Sequence, residues 1–236
     1  MRPGRSAATR TGAANRSMTA GGDACTGVIL AGGEARRYGG VPKGLERVNG
    51  RRIIDRVAGA LAAATDNLLL VANDPRAVSW LPGVRVATDV RPGNGSLGGI
   101  HAALAHAAQP VLVVAWDMPF VPATLLTALR ALGRDADVAA PESASTRGVE
   151  PLCAYYDPAC IGPIERHLDA GDRRVVGFYD DVRVARLLDA QVRLFGDPAL
   201  MFLNVNSPDE LVLAERHAAR IDDAADGGDH RTQTPR

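Results

Sequence analysis

The 236-residue sequence has no long hydrophobic run and no excess of either charge. No uninterrupted apolar stretch approaches the roughly 18 residues of a membrane-spanning helix, and residues 1–24 lack the apolar segment of a secretory signal. Because 27 basic residues balance 27 acidic residues, bulk charge provides no general attraction to nucleic acid or to an anionic membrane. We therefore expect a cytoplasmic protein that binds neither nucleic acid nor membranes.

Cysteine is also scarce. The chain has three, Cys25, Cys153 and Cys160, and no two of them have the Cys-x-x-Cys spacing. A chain of this length with 46% apolar residues buries enough surface to fold without disulfides or a structural metal. We expect the three cysteines to be small buried apolar residues in a reducing compartment.

Lysine is almost absent. Of the 27 basic residues 26 are arginine, and the single lysine is Lys43. A compact ammonium group on a flexible stem reaches a phosphate inside a tight loop where a planar guanidinium does not fit. As the one lysine of the chain, Lys43 is a candidate functional residue. The alternative is that a single lysine is present by chance.

Both ends of the chain are poor in large apolar side chains. Beyond Met1, residues 1–24 contain Met18 as their one sizeable apolar residue, and residues 222–236 contain none. Neither segment therefore buries enough surface to offset the entropy of ordering. We predict disordered tails at 1–24 and 222–236 around one folded domain at 25–221. An organellar leader, or a true start at Met18, is the alternative for the N-terminal segment.

Short β-branched runs alternate with helical segments across this domain. The patterns predict strands at Cys25–Ala31, Asn67–Ala72, Val84–Ala87, Val111–Trp116, Asp137–Ala140 and Pro151–Tyr156, and helices at Ile53–Ala64, Leu97–Ala108 and Thr124–Leu132. Their succession predicts an α/β fold, Rossmann-like and doubly wound, with a mostly parallel sheet in three α/β/α layers. Ligands of such sheets bind at the carboxyl ends of the strands.

A glycine-rich loop follows the first predicted strand, with the sequence LAGGEARRYGGVPKGL at residues 30–45. Its glycines let backbone amides approach a phosphate chain closely, and Arg36, Arg37 and Lys43 add positive charge. It is not a Walker loop, because Gly44 rather than Ser or Thr follows the lysine, and it lacks the dinucleotide-binding G-x-G-x-x-G. We interpret the loop as a polyphosphate cradle; a surface loop without a ligand is the alternative.

Polar side chains follow three other predicted strands: Asn73, Asp89 and Asp117. A partly desolvated carboxylate at Asp117 needs a partner, and a Mg²⁺ ion that bridges phosphate oxygens would be one. Each of the three residue types commonly serves as a turn or cap residue. Together they predict one rim of one crevice.

Two later segments are also candidates for binding. Arg91–His101 is a second glycine-rich stretch that opens a helix, whose first amides are suited to a base edge or an anion; a flexible connector is the alternative. Near the C-terminus, Asn204 and Asn206 point to the same side if the chain is extended.

The residues that follow predict a helix N-terminus. Ser207 is a favourable N-cap, Pro208 suits the first helical position, and Glu210 completes a capping box. We expect this part of the segment to be structural.

In this order the motifs resemble the molybdenum cofactor guanylyltransferase family. The shared pattern covers about residues 25–219 and consists of Leu30-Ala-Gly-Gly, Arg37, Pro42-Lys43-Gly44, Gly95-x-Leu97-x-Gly99-Ile100, Asp117-Met-Pro and Asn204-Val-Asn206-Ser-Pro-Asp-Glu. The first loop marks the wider nucleotidyltransferase class, and the combination is more specific. The chain departs from the family pattern at Tyr38, Pro42, Ser96–Gly98 and Glu150, the last of which stands where a family strand commonly opens with His-Pro.

The resemblance implies a fold of the nucleotide-diphospho-sugar transferase type and the transfer of GMP from Mg·GTP to the phosphate of molybdenum-bound molybdopterin, with release of pyrophosphate. It implies that Arg37 and Lys43 hold the phosphates and that Asp117 binds Mg²⁺. Asn204 and Asn206 would face the pterin. The implied nucleotide contacts are Leu30, Ala31, Gly32, Gly33, Lys43, Asn73, Asp89, Gly95, Leu97, Gly99 and Asp117. Proteins that deliver molybdopterin and chaperones of molybdoenzymes are the implied partners.

Two other functions remain open at this point. The first is the same chemistry with CTP, or with a sugar or polyol phosphate as acceptor; the 95–100 segment favours GTP, because cytidylyl relatives carry a Gly-Leu-Ser-type sequence there. The second is a non-catalytic nucleotide-binding module, against which the joint presence of Lys43 and Asp117 argues. No Ser-His-Asp or Cys-His array accompanies these motifs.

Overall fold

A mixed sheet, built from seven strands of the described chain, runs through the centre of the protein. The structure is a computed structural model that describes residues 24–32 and 42–226, with side chains to residue 221. The strands of this sheet are β1 (Thr26–Ala31), β4 (Asn67–Ala72), β5 (Arg85–Ala87), β6 (Val111–Ala115), β7 (Val138–Pro141), β8 (Cys153–Tyr156) and β9 (Val184–Leu187). Residues 43–52 add a small antiparallel hairpin formed by β2 (Arg47–Val48) and β3 (Arg51–Arg52).

The helices cover both faces of the sheet. They are α1 (Ile53–Ala64), α2 (Gly95–Ala107), α3 (Ala123–Leu132), α4 (Ile161–Asp169), α5 (Asp189–Val192), α6 (Pro198–Met201) and α7 (Pro208–Asp226). Helix α7 extends past the domain boundary predicted at 221, so the first residues of the predicted C-terminal tail are helical. The predicted N-terminal tail lies outside the described residues except for Ala24.

The strand order is β5-β4-β1-β6-β8-β7-β9. β1 pairs in parallel with β4 on one side and with β6 on the other, whereas β8 is antiparallel to both β6 and β7. The chain moves outward from β1 to β5 and then returns to the opposite side of β1. This reversal confirms the doubly wound, mostly parallel fold, and it places a ligand crevice at the carboxyl ends of β1 and β6.

Strand β1 separates the two halves of the hydrophobic core. All of its residues are buried; Ile29 and Ala31 face the core half that holds α1, α3 and α7, and Val28 and Leu30 face the half that holds α2 and α4. Successive side chains of a strand point to opposite faces, so a strand covered on both sides is apolar throughout. The apolar run that predicted this strand therefore also indicates that helices cover both faces of the sheet.

Two element boundaries differ by two residues from those predicted, and several others differ by one. Helix α2 begins at Gly95 rather than Leu97, and β8 begins at Cys153 rather than Pro151. Proline has no N–H group to donate to a strand ladder. Pairing next to β6 is nevertheless continued by Leu152, whose carbonyl oxygen accepts a hydrogen bond from the Ala115 N–H at 2.9 Å.

The three cysteines are buried and free. Burial raises the pKa of the Cys25 and Cys160 thiols to about 12 and also raises the pKa of Cys153, which makes all three poor nucleophiles. The prediction that they are small core residues is confirmed. Within residues 24–32 and 42–226, no helix combines the length and hydropathy that crossing a membrane requires.

Candidate active site

Lys43 lies at the start of a short 3₁₀ turn at Lys43–Leu45. Its Nζ donates a hydrogen bond to Oδ1 of Asn206, a residue 163 positions later in the sequence. The contact brings the end of the first glycine-rich loop against the Asn-x-Asn segment. Two motifs that the sequence analysis treated separately are therefore parts of one site.

Gly44 explains how this turn approaches the core. A Cβ atom at position 44 would lie 2.4 Å from Cε3 of Trp116, so only glycine fits against the indole. Trp116 is itself stacked on Trp80, with ring centroids 5.2 Å apart. The two stacked rings pack beneath the turn that carries Lys43 and support it.

Asp117 follows β6 and is only partly exposed. Burial is the main cause that raises the pKa of its carboxyl group; the charge of Lys43 lowers that pKa, and the charge of Glu210 raises it. The Asp117 carbonyl oxygen accepts a hydrogen bond from the backbone N–H of Val205 at 2.9 Å. Strand β6, the first loop and the Asn-x-Asn segment thus meet at one carboxylate.

The start of α7 fixes the position of Asn206. Ser207 Oγ accepts a hydrogen bond from the Glu210 N–H at 3.2 Å, as predicted for an N-cap. Glu210 Oε2 accepts from the backbone N–H of Asn206 at 2.7 Å, whereas a capping box would use the N–H of Ser207. The predicted box is therefore displaced by one residue, with the result that Asn206 is held through its backbone as well as its side chain.

Asn73 and Asp89 form a pair at the ends of β4 and β5. Asn73 Nδ2 donates to Asp89 Oδ2 at 2.7 Å, and Asn73 Oδ1 accepts from the Asp89 N–H at 2.9 Å. Strand β1 separates β4 from β6, so the axes of β4 and β6 are roughly 10 Å apart. This pair and Asp117 lie at the same end of the sheet, on opposite sides of β1.

The second glycine-rich stretch forms the start of α2. Gly95 has a φ of +58°, and no side chain caps the helix at Asn94. A Cβ atom at Gly99 would lie 2.4 Å from Cδ1 of Leu30, which shows that α2 packs tightly on β1. Since Leu30 and Leu97 are both buried in the core, their side chains serve packing, and the groups that this region offers a nucleotide are backbone amides.

The remaining residues predicted for the nucleotide divide into two groups. Ala31 is the last residue of β1, and Gly32 follows it with open space where a side chain would be. Gly33 and Arg37 lie outside the described residues. Their predicted roles at the phosphates stay predictions.

Glu150 is a candidate that the sequence analysis noted only as a departure from a family pattern. It is 7% exposed, and its Oε1 accepts a hydrogen bond from the Leu152 N–H at 3.1 Å. Burial raises the pKa of its carboxyl group, the Leu152 N–H and Arg147 lower that pKa, and the charge of Asp117 raises it. A buried carboxylate just before an apolar strand is the signal that could have identified it.

Glu150 lines a cavity of about 450 Å³. The hydrogen bond between the Ala115 N–H and the Leu152 carbonyl oxygen places Glu150 at the end of the sheet where Asp117 lies. Other residues along this cavity are Ser143, Ser145, Arg193, Phe202 and Asn204. Asn204 donates through Nδ2 to the Phe202 carbonyl oxygen at 3.2 Å. The two asparagines therefore lie in different places: Asn206 contacts Lys43, and Asn204 lines the cavity.

The chemistry of the donor groups bears on whether a metal ion fits. No group of three or more His, Cys, Asp or Glu side chains suited to a metal occurs in the described part of the chain. Mg²⁺ usually keeps several water ligands and takes one or two carboxylates together with substrate phosphates. Asp117 fits a metal of that kind, which needs the nucleotide to complete its ligands.

A comparison with protein families decides the class of the chain. Residues 27–184 match the profile of the MobA-like NTP transferase domain. The chain belongs to the MobA-like NTP transferase family. As a member, it is an enzyme of the nucleotidyltransferase class.

Relatives of this MobA-like enzyme agree in sequence and in fold. It is 38% identical over 196 residues to the molybdenum cofactor guanylyltransferase of Desulfosudis oleivorans, which covers 82% of this chain and 95% of that protein. The solved structure of the Archaeoglobus fulgidus molybdopterin-guanine dinucleotide biosynthesis protein A has a TM-score of 0.70 at 28% identity, covering 83% of this chain and 99% of the other. The names of these relatives indicate that they act in molybdenum cofactor biosynthesis.

A more distant solved structure shares the fold of this MobA-like enzyme. The Mycobacterium tuberculosis protein Rv0371c, solved as a complex with manganese, has a TM-score of 0.60 at 22% identity and covers 82% of this chain and 98% of that one.

Proposed function

We propose that the protein transfers GMP from Mg·GTP to the phosphate of molybdenum-bound molybdopterin, which releases pyrophosphate and forms the molybdopterin guanine dinucleotide. The observation that carries this proposal is the meeting of Lys43, Asp117 and Asn206 at the carboxyl end of β6. A cation and a carboxylate at the switch point of a doubly wound sheet suit a metal–nucleotide complex. The names of the curated relatives support guanine as the base and molybdopterin as the acceptor.

The reaction follows from these positions. An oxygen of the acceptor phosphate attacks the α-phosphorus of GTP, the bond from that phosphorus to the bridging oxygen breaks, and the electron pair leaves with pyrophosphate. Such transfers depend mainly on in-line positioning and on stabilising charge over the phosphates. Lys43 and Arg37 supply positive charge, and Asn206 holds the Lys43 ammonium in place. The acceptor is already an anion, so the step needs no strong general base.

Asp117 is the residue that would hold the metal ion. Its partly buried carboxylate is costly to leave charged without a cation. The charge of Lys43 lowers the pKa of the group, but burial keeps that pKa raised. A Mg²⁺ ion held by Asp117 would supply Lewis-acid stabilisation of the negative charge on the phosphates. The manganese complex of a protein with the same fold supports a divalent ion in this class of site.

The nucleoside would lie along the other side of β1. In this arrangement the backbone from Leu30 to Gly33 follows the phosphates, and Asn73 and Asp89 contact the nucleoside. The start of α2, from Gly95 through Leu97 to Gly99, selects guanine, and the free amides of its first turn are the donors. Asn204 faces the pterin from within the cavity. We place the enzyme in the cytoplasm, where proteins that deliver molybdopterin and chaperones of molybdoenzymes are its partners.

The test is pyrophosphate release by the purified protein with Mg²⁺ and molybdenum-loaded molybdopterin, with GTP and CTP assayed side by side. Release with GTP alone is the expected result. Release with CTP alone would show that the protein transfers CMP instead of GMP. Tight binding of Mg·GTP without release in either assay would leave a nucleotide-binding module and would overturn the proposed catalysis.

A further inference from the structure

The Glu150 carboxylate in the cavity has unused hydrogen-bonding capacity. Oε1 of Glu150 accepts one hydrogen bond, from the Leu152 N–H. Oε2 accepts none from the described part of the chain. It also keeps some exposed surface, because it is not one of the fully buried polar atoms without a partner. Because the residue lines the cavity, this oxygen is accessible to a molecule bound there.

The other acidic residues of the cavity wall have partners already. Asp189 forms an ion pair with Arg193, Oδ2 to Nε, at 2.7 Å. Asp197 caps α6 by accepting a hydrogen bond from the Ala199 N–H at 3.0 Å. Glu150 is also far more buried than either of these carboxylates, and hydrogen bonds to a desolvated charge are stronger than those on the surface. Glu150 is therefore the group in this wall best suited to bind a ligand.

A buried carboxylate selects a particular chemical edge. A carboxylate has about four lone-pair positions and, when ionised, no donor, so its ideal partner presents two neighbouring N–H donors. The pyrimidine ring of a pterin has this edge, formed by N3–H and the 2-amino group. A carboxamide at the same position would present one donor and one acceptor and would not match it.

The dimensions and the remaining lining agree with a flat bicyclic ligand. The volume of about 450 Å³ falls within the roughly 300–1,000 Å³ of small-molecule sites. Phe202 contributes a phenyl ring to the same wall, a group that packs favourably against a flat heterocycle. Leu152 pairs with Ala115 at the end of β6, so Glu150 and Asp117 lie at the same end of the sheet. A ligand anchored at Glu150 can therefore extend toward the metal and phosphate positions.

We propose that Glu150 is a specificity-determining residue that binds the N3–H and 2-amino edge of the acceptor's pterin ring in this cavity. The choice of a pterin rests on the proposed function. Glu150 fixes one end of the acceptor, and the phosphate at the other end is directed toward Asp117 and Lys43.

The test compares two fluorescent ligands that differ at one group. In 6-hydroxymethylpterin the 2-amino group is present, and in 6-hydroxymethyllumazine a carbonyl oxygen replaces it and faces the carboxylate. Fluorescence titration of the full chain should show the pterin binding about tenfold or more tightly than the lumazine, the scale of one lost charge-assisted hydrogen bond. Equal binding of the two, or no binding of the pterin, overturns the proposal without any variant.

Glu150→Gln sharpens the comparison. A carboxamide pairs with N3–H and a ring carbonyl, an edge that both ligands possess, so the preference for the pterin should fall to near unity. Glu142→Gln is the matched control. Glu142 follows β7 and directly precedes Ser143 of the cavity wall, and its Oε2 accepts from the Asp189 N–H at 3.0 Å, a contact that glutamine can keep. Glu142→Gln should retain the wild-type preference. An unchanged preference in Glu150→Gln, with the variant folded by circular dichroism, overturns the proposal.

The outcome is independent of the guanylyl transfer test. If pyrophosphate is released with GTP but the two ligands bind alike, the role of Glu150 is wrong and the proposed function stands. If the pterin is preferred but no pyrophosphate is released, the pterin site stands and the proposed function is wrong.

Discussion

The two halves of the sheet offer different kinds of binding surface. At the ends of β1, β4 and β5 the groups presented are glycine backbone, helix-start amides and a paired Asn73 and Asp89. Beyond β6, where the antiparallel β8 begins, the surface is a cavity with a buried carboxylate, a phenyl ring and hydroxyl groups. Main-chain amides suit a polyphosphate, whereas a shaped cavity suits a flat acceptor.

Asp117, Lys43 and Asn206 lie between the two halves. In the proposed function, the reacting groups therefore belong to neither surface alone. Substitutions at this boundary should stop transfer, whereas substitutions in either half should change the affinity for one substrate and leave the other unaffected.

The largest effect is expected for Asp117→Asn at the boundary. Asparagine keeps the shape and removes the charge that holds the metal, so transfer should fall by about 10³-fold, near the upper range for one preorganised electrostatic group. The Mg²⁺ concentration at half-maximal rate should also rise. Stability should change little, because a partly buried charge without its metal contributes little to folding. A variant that unfolds in a thermal melt would instead identify Asp117 as a structural cap.

Lys43→Ala should reduce transfer by about 10²–10³-fold, because a charge held against the phosphates is removed. Lys43→Arg should restore only part of the rate, since the planar guanidinium does not reproduce the contact of a compact ammonium with Asn206. Steady-state measurement of kcat/KM for GTP tests both. Wild-type turnover in Lys43→Ala would remove Lys43 from the phosphate site.

Glu150→Gln probes the acceptor half through the reaction itself. The KM for the pterin acceptor should rise by about tenfold, which corresponds to one charge-assisted hydrogen bond, and the KM for GTP should not change. A rise in the KM for GTP, or a loss of kcat alone, would contradict the separation of the two surfaces.

The sequence predicted the elements around β1 well and the cavity beyond β6 poorly, for a physical reason. Buried strands leave apolar runs, and an amphipathic helix repeats its apolar residues at helical spacing. The strand Asn67–Ala72 and the helix Ile53–Ala64 were therefore predicted with their observed bounds. The acceptor cavity combines Ser143 and Glu150 with side chains from residues 189–204. The residues of such a cavity follow no regular spacing in the sequence, because only tertiary folding brings its walls together. The contact between Lys43 and Asn206 was equally invisible as a pattern, although both residues were candidates.

The contact between Glu210 and the Asn206 N–H likewise could be predicted only in part. The Ser-Pro-x-Glu pattern correctly predicted the start of α7, because each residue type suits its helix position. The pattern did not reveal that Glu210 would bond to the N–H of Asn206. That choice depends on how residues 204–206 approach Asp117, a contact made by Val205.

The smallest effect is expected in the nucleotide half, for Asn73→Ala. The substitution removes both hydrogen bonds to Asp89, and a neutral or singly charged contact of this exposed kind is worth about 1 kcal/mol. The KM for GTP should therefore rise by about fivefold, while kcat and the KM for the acceptor stay unchanged. Asp74→Ala is the matched control, because Asp74 is the next residue and pairs with Arg76 instead. A larger effect of Asn73→Ala on the acceptor than on GTP would show that the boundary between the two surfaces does not lie at β1.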